Sequence, residues 1–347
     1  MSRRLSYFIA ICFMLLLTSC SQGIASTGSE HHFIISHFLP GNHPIQTEVF
    51  QEIGSEIEEK SNGVITYDIY PANALGEAGS QYDMTVTGEV DIALSVHGYS
   101  PGRFPLVSIL ELPFLAETAA HGSEILEHLY QEFPSIQAEH SDTIPLYLFT
   151  ADPAQLITKE HPIQSPEDLK GLRIRSPSPL ANDILEVLGA VPVSMPMGDV
   201  YESMERGVID GAMVPLEALY NYNLYEVATY ITVGNFSTTP FFAVMNKNTY
   251  EHLSNEEKEI INGATDLETS IKSGSVFDVD GEKGRKLAED NGTEIIEINE
   301  QMGVEWERAL DSISQTWIND MEKKGFPGQK IYNRALELRD DLKERKK

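Results

Sequence analysis

The chain has 347 residues, with 25 Lys or Arg against 53 Asp or Glu, a net charge of −28. Apolar residues make up 41%, enough for a sizeable core, and the acidity leaves no basic face for nucleic acid. The only cysteines, Cys12 and Cys20, lie in the first 20 residues, so the rest of the chain has no disulfide, thiol nucleophile or thiolate metal site.

Arg3 and Arg4 precede an apolar run of ten residues, Phe8–Leu17. That run is short for a bilayer span and the right length for the core of a signal peptide. Leu17-Thr18-Ser19-Cys20 follows and resembles a bacterial lipobox, which predicts a signal over 1–19 and lipidation at Cys20. Removing that signal takes away two arginines and no acid, so the charge becomes −30. Residues 20–31 carry the lipidated Cys and a small, polar tether. The expected location is extracytoplasmic, lipid-anchored to the cell membrane, in a periplasm or on the outer face of the cytoplasmic membrane.

Apolar runs and turn residues predict a strand over 33–37, a helix over 44–60, a strand over 64–70, a helix over 80–87 and a strand over 91–96. This β-α-β-α-β order implies a mostly parallel sheet covered by helices. Pro105 and Pro113 break residues 104–115; a helix over 121–130 and a strand over 144–150 follow. A second β/α series starts near Asp152. Ser165-Pro166-Glu167-Asp168 reads as a capped short helix, then come a strand over 172–175, helices over 180–188 and 201–206, and a strand over 208–214. Gly88-Glu89-Val90-Asp91-Ile92-Ala93 matches Gly207-Val208-Ile209-Asp210-Gly211-Ala212, either by shared turn chemistry or because two lobes follow one plan. A strand over 240–246 precedes a capping box at Ser254–Glu257 and a long helical region reaching Asn291, where Gly263, Gly274, Gly281 and Gly284 permit bends. A strand over 294–298 and helices over 304–321 and 333–343 close the chain.

No nucleophile elbow, phosphate loop or dinucleotide fingerprint is present, and no catalytic residues or cofactor are expected. His31, His32, His37 and His43 do not fit a metal-ligand spacing and read as solvated strand-end residues. Glu52, Glu56 and Glu59 read as a solvated helix face. Tyr220, Tyr222, Tyr225 and Tyr230 read as packing aromatics, with sugar stacking as the alternative. The most informative stretch is Leu172-Arg173-Ile174-Arg175-Ser176-Pro177. It places two arginines on one side of a short strand, where they need acceptors, either a structural acid or a bound carboxylate.

These segments in order are similar to the solute-binding proteins of tripartite ATP-independent periplasmic (TRAP) transporters, the DctP family. They are the His37 strand, Tyr70-Pro71 with Leu75-Gly76, Gly88–Asp91, Leu112-Pro113-Phe114-Leu115, Ser165–Gly171 with the Arg175 strand, Gly189-Ala190-Val191-Pro192, Val200-Tyr201 and Gly207–Pro215. The resemblance implies a two-lobed α/β fold, each lobe a mixed, mostly parallel sheet flanked by helices, with a long helix crossing both. It places lobe I at 32–152 plus about 240–280, lobe II at 153–239 plus about 281–330, and a C-terminal helix or tail at 331–347.

The resemblance also implies that Arg175 grips the carboxylate of a small organic acid. A second arginine common in the family falls on Gln155 here. Other implied ligand-binding positions are Asn235, Phe236, Met197, Met213, Val214 and Glu77, while Ser95, Val96 and His97 are expected at the cleft because they lie at the C-terminal end of a strand, where α/β proteins place ligands. A site poorer in cations and more apolar than that of a dicarboxylate binder predicts a monocarboxylate with an apolar body, such as an aliphatic, aromatic or 2-oxo acid. The implied partners are that acid, the small and large membrane permease subunits, and the membrane itself through the lipid. The alternatives are a ligand-sensing protein for a signalling receptor and a secreted α/β enzyme.

Overall fold

The computed structural model describes residues 31–345. The expected signal, Cys20 and the tether up to residue 30 lie outside the described residues. In chain order the strands are β1 (His31–His37), β2 (Ile65–Tyr70), β3 (Ile92–Val96), β4 (Thr143–Thr150), β5 (Ala154–Thr158), β6 (Arg173–Ser176), β7 (Val191–Ser194), β8 (Gly211–Pro215), β9 (Tyr230–Ser237), β10 (Pro240–Asn246) and β11 (Glu294–Glu297). The helices packed on them include α1 (Gln51–Lys60), α2 (Gln81–Thr87), α3 (Ala119–Glu132), α4 (Pro179–Val187), α5 (Val200–Glu205), α6 (Glu217–Asn221), α7 (Asn255–Ala264), α8 (Leu267–Asp290), α9 (Glu300–Lys323) and α10 (Gly328–Arg345). None of the helices among the described residues is long and apolar enough to cross a membrane.

The strands form two mixed sheets, ordered β2-β1-β3-β10-β4 and β11-β9-β5-β8-β6-β7, and helices flank both in a two-lobed fold. The β1–β3, β6–β7, β6–β8 and β9–β11 pairs are parallel. The antiparallel pairs come from chain crossings. β4 passes into β5 through three residues, and β9 into β10 through two. β10 pairs with β4 in one sheet and β5 with β9 in the other. Between them the Ala151 N–H donates to Thr239 O at 2.9 Å, so the paired ribbon continues from sheet to sheet.

Most expected elements form where their patterns place them, with ends shifted by at most three residues, except that α9 and α10 start four and five residues earlier. β5, β7 and β9 were not anticipated. β7 is a short edge strand containing Pro192. β9 is interrupted by Gly234 and by Asn235, whose φ is +50°. The expected single C-terminal helical region is two helices, because Asp266 caps a new one by accepting from the N–H groups of Glu268 and Thr269.

The glycines of α8 have a different role from the one expected. The helix runs unbroken over 24 residues. A methyl group at Gly274 would strike the backbone of Ala119 at the start of α3, and one at Gly284 would strike Leu216 O just before α6. These glycines permit close packing rather than bending.

The histidine cluster also reads differently. His32 is exposed and bonded to Thr66 and Asp68, whereas His37 and His43 are buried. His37 stacks on Phe50 with ring centroids 5.7 Å apart, and burial pushes its pKa down to about 4. Aromatic packing on the helix 45–60 outweighs solvation there.

Candidate functional site

Arg175 sits near the end of β6, with Val193 of β7 and Ala212 of β8 as its register neighbours. Its side chain is 1% exposed. Nε donates to Met195 O at 3.0 Å, Nη1 to Met213 O at 3.1 Å and Nη2 to Tyr99 Oη at 3.1 Å. Among the described residues no carboxylate pairs with it. Burial pulls its pKa below the ordinary value, and the Tyr99 hydroxyl opposes that shift. A guanidinium has five N–H groups, so one on each terminal nitrogen remains for another acceptor. Arg173, two residues earlier, is a different case. It forms an ion pair with Asp210 at 2.6 Å, with 44% of its side chain exposed. The structural-acid reading thus applies to Arg173 and not to Arg175.

Arg175 opens onto a narrow cavity. Phe38, Tyr99, Tyr222 and Phe241 supply aromatic walls, Val96, Leu39 and Met197 add apolar surface, and Glu217 contributes a carboxylate. The walls are contributed by both sheets. Phe38, Tyr99 and Phe241 follow or belong to β1, β3 and β10; Arg175, Pro177 and Pro215 belong to or follow β6 and β8. Apart from Phe241, at the amino end of the antiparallel β10, these positions lie at or just beyond the carboxyl ends of β1, β3, β6 and β8, where open α/β sheets place ligands. Tyr99 bridges the two halves, because its oxygen accepts from both Arg175 and the Met197 N–H, the latter at 3.0 Å. Its own proton then remains available to a ligand.

Of the expected positions, Arg175, Val96 and Met197 line this cavity. Met213 reaches the site through its carbonyl, which holds Arg175, while its side chain is in the core. Val214 is buried in the core. Gln155 does not stand in for a second cation. Its amide donates to Pro153 O and Asn235 Oδ1, and its oxygen accepts from the N–H groups of Gly234 and Asn235. It therefore braces the kink in β9. Asn235 belongs to that kink, and Phe236 packs on Trp306 with centroids 4.8 Å apart. Glu77 is exposed and its carbonyl accepts from Ser80 at the head of a short helix. Ser95 donates to Ala78 O.

His97 points elsewhere. Its Nε2 lies 3.2 Å from His140 Nε2, it packs edge-on to Phe104 and Phe242, and burial pushes its pKa down to about 3. It borders a separate, larger recess shared with Glu111, Asp183, Asp320, Lys324 and Trp317. Asp183 and Asp320 against one lysine leave this recess without a positive excess, so the smaller Arg175 cavity is the candidate for a carboxylate.

Tyr99, Tyr222, Phe38, Phe241 and Glu217 were not anticipated as site residues. Tyr222 belongs to the run read as packing aromatics; it packs against the core and also lines the cavity. The strand-end rule that singled out His97 would have reached Tyr99 had it extended two residues further.

The sequence profile of the bacterial extracellular solute-binding protein family 7 (DctP) matches residues 35–320. The 2,3-diketo-L-gulonate-binding periplasmic protein of Escherichia coli K12 is 24% identical over 272 residues, which span 78% of this chain and 76% of that one. Two solved structures of TRAP solute-binding proteins superpose with TM-scores of 0.86. One, from an unidentified marine microbe, is specific for aromatic acid ligands and holds 3-hydroxybenzoate; it is 32% identical, covering 90% of this chain and 99% of that one. The other, from Rhodoferax ferrireducens T118, holds copurified benzoate; it is 28% identical, covering 91% and 99%. With the profile spanning most of its length and the two-lobed architecture shared, the chain belongs to the family 7 extracellular solute-binding proteins, the binding components of TRAP transporters.

Proposed function

We propose that this protein is the extracytoplasmic receptor for an aromatic monocarboxylate, which it delivers to the small and large membrane subunits of a TRAP-type transporter. The observation that carries this reading is Arg175. It is a buried guanidinium without an acid partner among the described residues, and it opens into a cavity walled by four aromatic rings. A charge-assisted pair with a ligand carboxylate contributes about 1.5–3 kcal/mol, and burial of an apolar ring supplies most of the rest. The single cation disfavours dicarboxylates, because a second negative charge would meet Glu217 rather than an arginine. The aromatic-acid ligands of the two similar structures point the same way.

The lobes are taken as 32–152 with about 240–280, and 153–239 with about 281–330. They close on the ligand by a hinge at the crossing ribbon, and Tyr99 fastens one side to the other. The ligand is held and released unchanged. Lipidation at Cys20 keeps the receptor at the membrane surface.

A thermal-unfolding screen tests this reading. Benzoate and phenylacetate should raise the midpoint with increasing concentration, as expected when a ligand binds the native state. Benzamide, which lacks the charge, should not. A larger shift with succinate than with benzoate would sink the proposal.

A further inference from the structure

The polar groups that share the cavity with Arg175 are not equivalent. Tyr99 Oη already accepts two hydrogen bonds. Tyr222 Oη is buried and has no hydrogen-bond partner among the described residues. Burial, reinforced by the Glu217 charge, holds its pKa well above the ordinary phenol value, so it remains an O–H donor.

Glu217 lines the same cavity. Asn221 Nδ2 donates to its Oε2 at 2.9 Å, and His43 Nε2 lies 3.3 Å from the same oxygen. The Ile45 N–H donates to His43 Nδ1, which places the ring proton on Nε2, facing Glu217. Both neighbours thus fix Oε2, and no hydrogen bond engages Oε1 among the described residues. The cavity offers an unused donor and a held acceptor.

A ligand group that satisfies both must accept from Tyr222 and donate to Glu217, and a hydroxyl does both. A keto oxygen or a second carboxylate brings only lone pairs to Glu217. An ammonium satisfies Glu217 but gives Tyr222 no acceptor. An unsubstituted ring leaves both unused. We infer that Tyr222 and Glu217 form a hydroxyl subsite and that the preferred ligand is a hydroxylated aromatic monocarboxylate, an inference that rests on the aromatic-acid reading above. The carboxylate pairs with Arg175, and the hydroxyl sits between the phenol and Glu217.

Titration calorimetry on the full chain tests this with benzoate and its 2-, 3- and 4-hydroxy derivatives. The best hydroxybenzoate should bind at least about tenfold tighter than benzoate, as expected when a ligand hydroxyl meets groups otherwise left unpaired. In Tyr222→Phe that preference should shrink to about threefold or less, with the hydroxylated acid losing far more than the parent. Glu217→Gln is an independent second variant and should also reduce the ratio. Three results overturn the subsite: no preference in the wild type, an unchanged ratio in both variants, or equal weakening of both acids in Tyr222→Phe, which would put the phenol on the carboxylate. Binding of none of the four acids overturns the aromatic-acid reading itself, whereas benzoate binding without hydroxyl preference overturns only the subsite.

Discussion

The two sheets repeat one joint. In the first, α2 ends at Gly88 with φ +78°, Asp91 N–H donates to Ile34 O, and the Asp91 carboxylate accepts the Ile34 N–H at 2.9 Å. In the second, the turn after α5 passes through Gly207 with φ +68°, Asp210 N–H donates to Arg173 O, and the Asp210 carboxylate accepts the Arg173 N–H at 2.7 Å. Each aspartate clamps the parallel strand beside it, so the repeated sequence is a repeated structure rather than shared turn chemistry alone. The difference lies two residues beyond the clamp, where one strand carries buried Ser36 and the other buried Arg175. The frame is common to both lobes, and the buried cation without an acid partner among the described residues is on one.

The largest test of that asymmetry is Arg175→Ala. Affinity for an aromatic acid should fall at least about 100-fold, on the order of 3 kcal/mol, and Arg175→Lys should not restore it. Ser36→Ala should leave binding within about threefold. Equal losses measured by calorimetry at the two positions would erase the contrast.

Next in size is a pH effect where the lobes meet. Glu111 accepts from Ser178, the cap of α4, and burial pushes its carboxyl up from 4.5 to about 7. The folded protein therefore keeps a proton that the unfolded chain releases. That contribution is fully present below about pH 4.5 and is lost as pH rises through about 7, a span on the order of 3 kcal/mol. Glu139 is raised to about 7 by burial and acts in the same direction. Urea unfolding of Glu111→Gln should show a flatter dependence between pH 4.5 and 7 than the wild type; identical slopes would contradict the shift.

Smaller again are the clamps. Asp91→Ala and Asp210→Ala should each cost about 1–3 kcal/mol of stability, because each removes a charged acceptor from a backbone N–H. Only Asp210→Ala should also weaken ligand binding, since its strand carries Arg175. If Asp91→Ala proves as harmful to binding, the lobes do not divide their work in this way. The smallest effect is Tyr99→Phe, which loses both bonds that span the halves of the site. About a fivefold loss of affinity, near 1 kcal/mol, is expected by calorimetry, and tighter binding would reverse that reading.

Sequence reasoning reached the parts of this molecule where local pattern and tertiary need agree. β4 and β10 are continuous apolar runs, and both capping boxes stand where Ser precedes Asp or Glu by three. Arg175 stood out because a buried cation is costly and basic residues are scarce. β5 and β9 were not legible, since Gln155 and Gly234–Asn235 break the apolar pattern and are satisfied only by each other across the strands. The aromatic walls were hidden for a related reason. Phe38, Tyr99 and Tyr222 lie far apart along the chain, and nothing in their local sequence states that three separate strand ends and turns converge. Gln155 and Asn235, polar residues at family positions, spend their hydrogen bonds on the backbone and on each other, which their local sequence does not show.

The glycine contacts of α8 have one more implication. Where helices meet through side chains, their spacing depends on rotamers and can relax one torsion at a time. At Gly274 and Gly284 the helix lies directly against main chain on either side, so the spacing is set by atomic radii. No rotamer change can slacken it. The helix acts as a rigid gauge shared by both lobes, against which each is held to the same tolerance.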